Sequence, residues 1–91
     1  MRIADRVAYP EGRITLDEAV AVRRDGEAAL ADGCVVMDLS GITQTDSSAL
    51  SVLLAWRRHA LNRGAQLEMR NLPASLQSLI DLYGVRALLL T

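Results

Sequence analysis

The run Cys34-Val35-Val36-Met37-Asp38-Leu39 constrains the fold of this chain more than any other stretch. It is nearly unbroken in apolar character, contains β-branched residues and has turn residues on both sides, the pattern of a central strand covered on both faces. Only Asp38 interrupts it, near its end. Such a strand needs sheet neighbours beside it and other elements above and below. With 91 residues the chain has room for one core, so a single domain over residues 1–91 is expected. Hydrophobic residues at 51% against 23% charged describe a globular chain. A domain of this size buries about 60–65% of its unfolded surface. One cysteine allows no disulfide, so packing alone must hold the core.

The remaining elements follow from turn and cap signals. Tyr9-Pro10-Glu11-Gly12 reads as a tight turn between two extended pieces, a β-hairpin. Thr15-Leu16-Asp17-Glu18 matches a capping box, which opens a first helix running to Leu30 or Ala31 and ended by Gly33. Ala19, Val22, Ala29 and Leu30 give that helix only a weak apolar stripe, the mark of a peripheral helix. A second helix is expected from Asp46 or Ser47 to Gly64. Around it, Leu50, Leu53, Leu54, Ala60 and Leu61 fall in one sector, and Ser47, Ser48, Ser51, Ala55, Arg58, His59 and Asn62 fall opposite. Gln66 to Arg70 alternates like a half-covered strand. Pro73 opens a third helix, and Gly84-Val85 stops it with Val85 folding back on Ile80. Ala87 to Leu90 reads as a last edge strand. The order predicts an α/β domain, a mixed sheet with helices packed against it.

Ten cations, all arginine, against eleven acidic residues give a net charge of −1, which excludes a nucleic-acid surface built on a basic excess. Cys34 within an apolar run reads as a buried small hydrophobe in a reducing compartment, so the cytoplasm is expected. The opening residues are charged, and nowhere do about 18 consecutive apolar residues occur, so neither a signal peptide nor a membrane span is expected. One cysteine and one histidine make no metal first shell, and no phosphate loop or dinucleotide fingerprint is present; no metal and no cofactor are expected. A hydrolase built on Ser47 or Ser48 would need His59. That histidine stands beside Arg58 with no acidic residue within a helical turn, and reads as an exposed surface residue.

The informative stretch is Met37 to Leu50, a strand that ends in a polar loop and reopens as a helix. Thr45, Asp46, Ser47 and Ser48 have an ordinary structural use, satisfying the orphan N–H groups of the helix start. Their functional use is as a contact or a switch, since a phosphate at this position gains from the helix dipole. Val52 and Trp56 widen the apolar arc of the helix to about 200°, more than one sheet face needs. A Trp beside Arg57 and Arg58 is also the composition of an interface hot spot.

The segment Asp38-Leu39-Ser40-Gly41-Ile42, followed by Thr45-Asp46-Ser47-Ser48-Ala49-Leu50 and a Leu-rich helix, resembles the signature of STAS domains. Gly12, the return from Gly64 into Leu67, and Asn71-Leu72-Pro73 extend the resemblance over nearly the whole chain. Ala49 stands where family members commonly carry Gly. Two branches imply different functions. In anti-sigma-factor antagonists the second serine, here Ser48, is the phosphate acceptor. In the small cytoplasmic STAS subunit of the Mla phospholipid-transport ABC complex, the residue directly after the Asp, here Ser47, meets the ATPase subunit. Val52-Leu53-Leu54-Ala55-Trp56 and Asp81-Leu82-Tyr83-Gly84-Val85 resemble this second, MlaB-like branch. The resemblance therefore implies a non-catalytic subunit, peripheral to the inner membrane through its partner, that stabilises the ATPase of a transporter maintaining outer-membrane lipid asymmetry. Ser47 and Asp46 are the expected centre of the contact, with Ser48, Ser51, Val52 and Trp56 as neighbours.

Overall fold

In the computed structural model, which describes residues 1–89, the apolar run becomes β4 (Val36–Asp38) at the centre of a four-stranded sheet. Its neighbours are β2 (Val7–Tyr9) and β6 (Glu68–Arg70), both parallel to it, and β1 (Arg2–Ala4) pairs antiparallel with β2. The mixed sheet is as expected. Met37 is fully buried and Val36 nearly so, which is what the apolar run requires.

The hairpin lies elsewhere than expected. Its turn is Asp5-Arg6, both at positive φ (52° and 65°), the conformation of a tight two-residue hairpin turn. Pro10 instead separates β2 from β3 (Glu11–Ile14), which leaves the main sheet. A second correction concerns the segment after Asp38. Where a polar loop is expected, Gly41–Thr45 forms β5, pairing parallel with β3 in a separate two-stranded sheet. Ile42, Thr43 and Thr45 are β-branched, so strand propensity is present, but polar neighbours mask the alternation.

Helix α1 (Ala19–Ala31) ends as expected at Gly33, where φ is +103°. It begins later than the capping-box reading requires. Glu18 does not reach back to the Thr15 N–H; its carboxylate accepts the Thr15 hydroxyl and pairs with Arg13 at 2.6 Å, and residues 15–18 form a separate turn. Nor is α1 peripheral. Its Gly26, Ala29 and Leu30 are buried against α2 (Ser48–Asn62). A Cβ at Gly26 would lie 2.1 Å from Trp56 Nε1, so only glycine lets the two helices approach this closely. The indole N–H donates to the Arg23 carbonyl at 3.1 Å, which satisfies the one polar atom of that ring.

This contact revises two expected roles. Val52 (2% exposed) and Trp56 (0%) are core residues, and α1 of the same chain covers the widened apolar arc. They offer almost no surface to a partner, and neither belongs in the expected contact set. Leu61, expected to face the core, is 54% exposed, because the buried face of α2 is rotated toward Ala49, Val52 and Trp56. Helix α3 (Ala74–Leu82) follows Pro73, and its end is as expected: Gly84 has φ +66° and the Val85 N–H donates to the Ile80 carbonyl at 3.1 Å. The last expected strand is instead a short helix, α4 (Arg86–Leu89), which tucks Leu89 into the core; Leu90 lies outside the described residues.

Gly26→Ala is expected to destabilise the protein by about 1–3 kcal/mol, the usual cost of overpacking a filled interior. Urea unfolding followed by tryptophan fluorescence measures it, since the probe is the displaced ring itself.

Candidate functional site: the start of helix α2

The two ends of the motif are organised by two carboxylates. Asp38 closes the turn after β4: Oδ1 accepts from the Ser40 N–H and Oδ2 from Asn71 Nδ2, each at 3.0 Å. This joins the ends of β4 and β6. Hydrogen bonds from Ser40, aided by Asn71, outweigh desolvation and hold the Asp38 carboxyl below the usual carboxylate range.

Asp46 does the corresponding work at the start of α2. Oδ1 accepts from the Ser48 N–H at 2.8 Å and Oδ2 from the Leu16 N–H at 3.1 Å. One side chain thus caps α2 and ties it to the turn that precedes α1. Desolvation disfavours its charge, but these two N–H groups and the Ser48 hydroxyl outweigh that penalty and keep its pKa below the ordinary value. Asp46 thus fixes the passage from β5 into α2.

Because Asp46 supplies the cap, Ser47 does not. Its hydroxyl makes no capping hydrogen bond, and the residue is exposed at the first turn of α2. Ser51, one turn further on, is also exposed, while Ser48 is half-buried. Thr45, at the end of β5, shares a 3.3 Å hydrogen bond with Ser75 of α3. Ser48 and Ser51 line a shallow depression of about 270 Å³ with Leu16, Val20 and the edge of Val52. Leu16 is 75% exposed and Val20 55% exposed. The sequence reading missed these two. Their spacing of four residues, off the stripe formed by Ala19 and Val22, is the signal that marks them as a separate apolar pair, with Leu16 in the turn before α1 and Val20 in its first turn.

The hydrolase constellation is not assembled. Ser48 and His59 lie on the same helix eleven residues apart, about 16 Å along its axis. His59 is also half-buried, not exposed as expected: its Nε2 is shielded without a hydrogen-bond partner, in a depression shared with Arg23, Glu27 and Asn62. Burial pushes the Cys34 thiol pKa up, so it behaves as a core hydrophobe. Among the described residues no group of three or more His, Cys, Asp or Glu is placed to hold a metal ion.

The mixed sheet with helices packed against it is found in a solved STAS-fold protein. The solved structure of the anti-sigma factor antagonist SpoIIAA in its unphosphorylated form matches with a TM-score of 0.64 at 15% identity, over 89% of this chain and 79% of that one. No curated protein matches the chain. The family model described as "Mlab, STAS domain" matches residues 11–91, and the chain belongs to this MlaB-like STAS family.

Asp46→Asn removes the charge that draws in the Leu16 and Ser48 N–H groups. A carboxylate with a lowered folded pKa stabilises the fold above its unfolded value of about 3.9 and loses that contribution as pH falls toward the folded value. The variant is expected to be less stable than wild type at neutral pH and to lose less on acidification. Urea midpoints measured from neutral pH to about pH 2 test both parts; equal pH profiles for the two proteins contradict the assignment.

Proposed function

We propose that this chain is a non-catalytic STAS subunit that binds and stabilises the ATPase subunit of an ABC phospholipid transporter maintaining outer-membrane lipid asymmetry. The observation that carries the reading is the free Ser47 hydroxyl, held outward at the start of α2 while Asp46 does the capping, in a chain of the MlaB-like family. Exposed Leu16 and Val20, which line one depression with Ser48 and Ser51, supply the apolar surface that a protein contact needs next to a polar one. On this reading Asp46 positions the turn, Ser47 is the central contact, and Ser48 and Ser51 are its neighbours. Hydrolysis of ATP belongs to the partner. The chain works on the cytoplasmic side of the membrane, held there by the transporter; no helix among its described residues is long and apolar enough to cross a bilayer.

The alternative is an anti-sigma-factor antagonist switched by phosphorylation of Ser48. It is less well supported, because Ser48 is half-buried and bonds through its N–H to the Asp46 carboxylate, against which a phosphate would be repelled.

Ser47→Arg is expected to abolish co-purification with the ATPase subunit. It should lower Tm by no more than about 8 °C, the effect of a cation at a helix N-terminus in a domain of this size. Unchanged co-purification contradicts the contact. Intact mass after co-expression with a partner kinase separates the alternative, which requires the gain of one phosphate on Ser48.

A further inference from the structure

Strand β6 is one edge of the four-stranded sheet, and among the described residues β4 is its only strand neighbour. The Glu68 N–H donates to the Val35 carbonyl at 3.0 Å, and the Leu39 N–H donates to the Arg70 carbonyl at 2.8 Å, so the backbones of Glu68 and Arg70 turn toward β4. By strand alternation the N–H and C=O of Met69, between them, point to the outer edge. Charged side chains on an edge ordinarily deter another strand. Here the two charges are of opposite sign and two residues apart. Glu68 and Arg70 share one face, are both exposed, and are ion-paired with each other.

That pattern makes the edge complementary to itself. In an antiparallel pairing with an identical strand about a two-fold axis through Met69, Glu68 of each copy faces Arg70 of the other. The outward N–H and C=O groups of the two Met69 residues then meet and can exchange both hydrogen bonds. The two Glu68–Arg70 pairs fall at non-hydrogen-bonded positions, where opposing side chains come closest. Moving the axis to Glu68 or to Arg70 brings like charges face to face, so charge selects one register. The opposite edge, β1, offers Arg2, Ile3 and Ala4, with no such pair. Beside β6 the surface opens into a groove of about 560 Å³, where Leu61, Leu67, Met69 and Leu72 lie beside Arg57 and Gln66, a mixed surface that a second copy would cover.

We propose that β6 is a self-association edge, at which a second copy of this chain adds across Met69 and joins the two sheets into one. This surface lies beside Leu61, in the last turn of α2, whereas Ser47 precedes its first turn, so the inference does not rest on the ATPase contact.

Analytical ultracentrifugation from micromolar to low-millimolar concentration tests it on the whole chain. Wild type is expected to show a concentration-dependent dimer. Glu68→Arg alone and Arg70→Glu alone should each be monomeric, since each sets like charges opposite at both positions. An equimolar mixture of the two variants should dimerise, because every opposing pair in the mixed dimer is again Arg against Glu; that recovery also shows both chains to be folded. The double variant Glu68→Arg/Arg70→Glu, which keeps its own ion pair, should dimerise like wild type. A wild type monomeric throughout, a dimer formed by either single variant alone, a mixture that stays monomeric, or a folded but monomeric double variant overturns the proposal.

Discussion

The seating of Trp56 against Gly26 fixes the arrangement of the helices on which the rest depends. A fully buried indole is the largest apolar side chain the chain owns, and it is accommodated only because α1 carries no side chain at the point of contact. Its N–H reaches the Arg23 carbonyl, so the ring enters the core without an unpaired donor. With α1 held this close, the turn before it meets the start of α2. The distance from Leu16 to Asp46 is therefore a consequence of packing ten residues further along each segment, at Gly26 and Trp56.

That meeting decides which polar groups remain available. Several residues at the start of α2 are able to cap it, and Asp46 does so because it can serve two N–H groups at once, one on each helix approach. A charged acceptor makes a stronger hydrogen bond than a hydroxyl and also complements the helix dipole. Ser47 is relieved of the structural task and left facing solvent. The site is thus the product of a division of labour between adjacent residues, with the carboxylate directed inward to backbone and the hydroxyl directed outward.

Much of this was legible in the sequence where a single local signal sufficed. The apolar run announced β4, Gly33, Gly64 and Gly84 marked helix ends, and Asp46 with its serines marked the helix start. The failures share a cause: each depended on a partner distant in sequence. Strand β5 is largely exposed and, among the described residues, pairs only with β3, off the main sheet. Trp56 looks like a surplus until Gly26, thirty residues earlier, is known to face it. Leu61 fits the apolar stripe of α2, yet the close approach of α1 rotates the buried face away from it. The Asp5-Arg6 turn carries no glycine, so nothing local announced positive φ there, and Pro10 attracted the turn reading in its place.

The chemistry left on the surface at α2 also limits how a partner is recognised there. Asp46 is committed to backbone N–H groups, and the groups near it are hydroxyls and two exposed aliphatic side chains, with Arg23 also lining the depression. With a net charge of −1 the chain as a whole exerts little long-range pull. Recognition at such a face depends on shape and on hydrogen bonds that must be met once water is excluded, and these act on the lifetime of a complex more than on the rate of encounter. The β6 edge is the opposite case. Its outward main-chain groups carry no sequence information, so the choice of partner there falls to the alternating signs of Glu68 and Arg70. On the two proposed readings, one small core presents two faces whose selectivity has different physical origins: fit at the helix start and charge register at the strand edge.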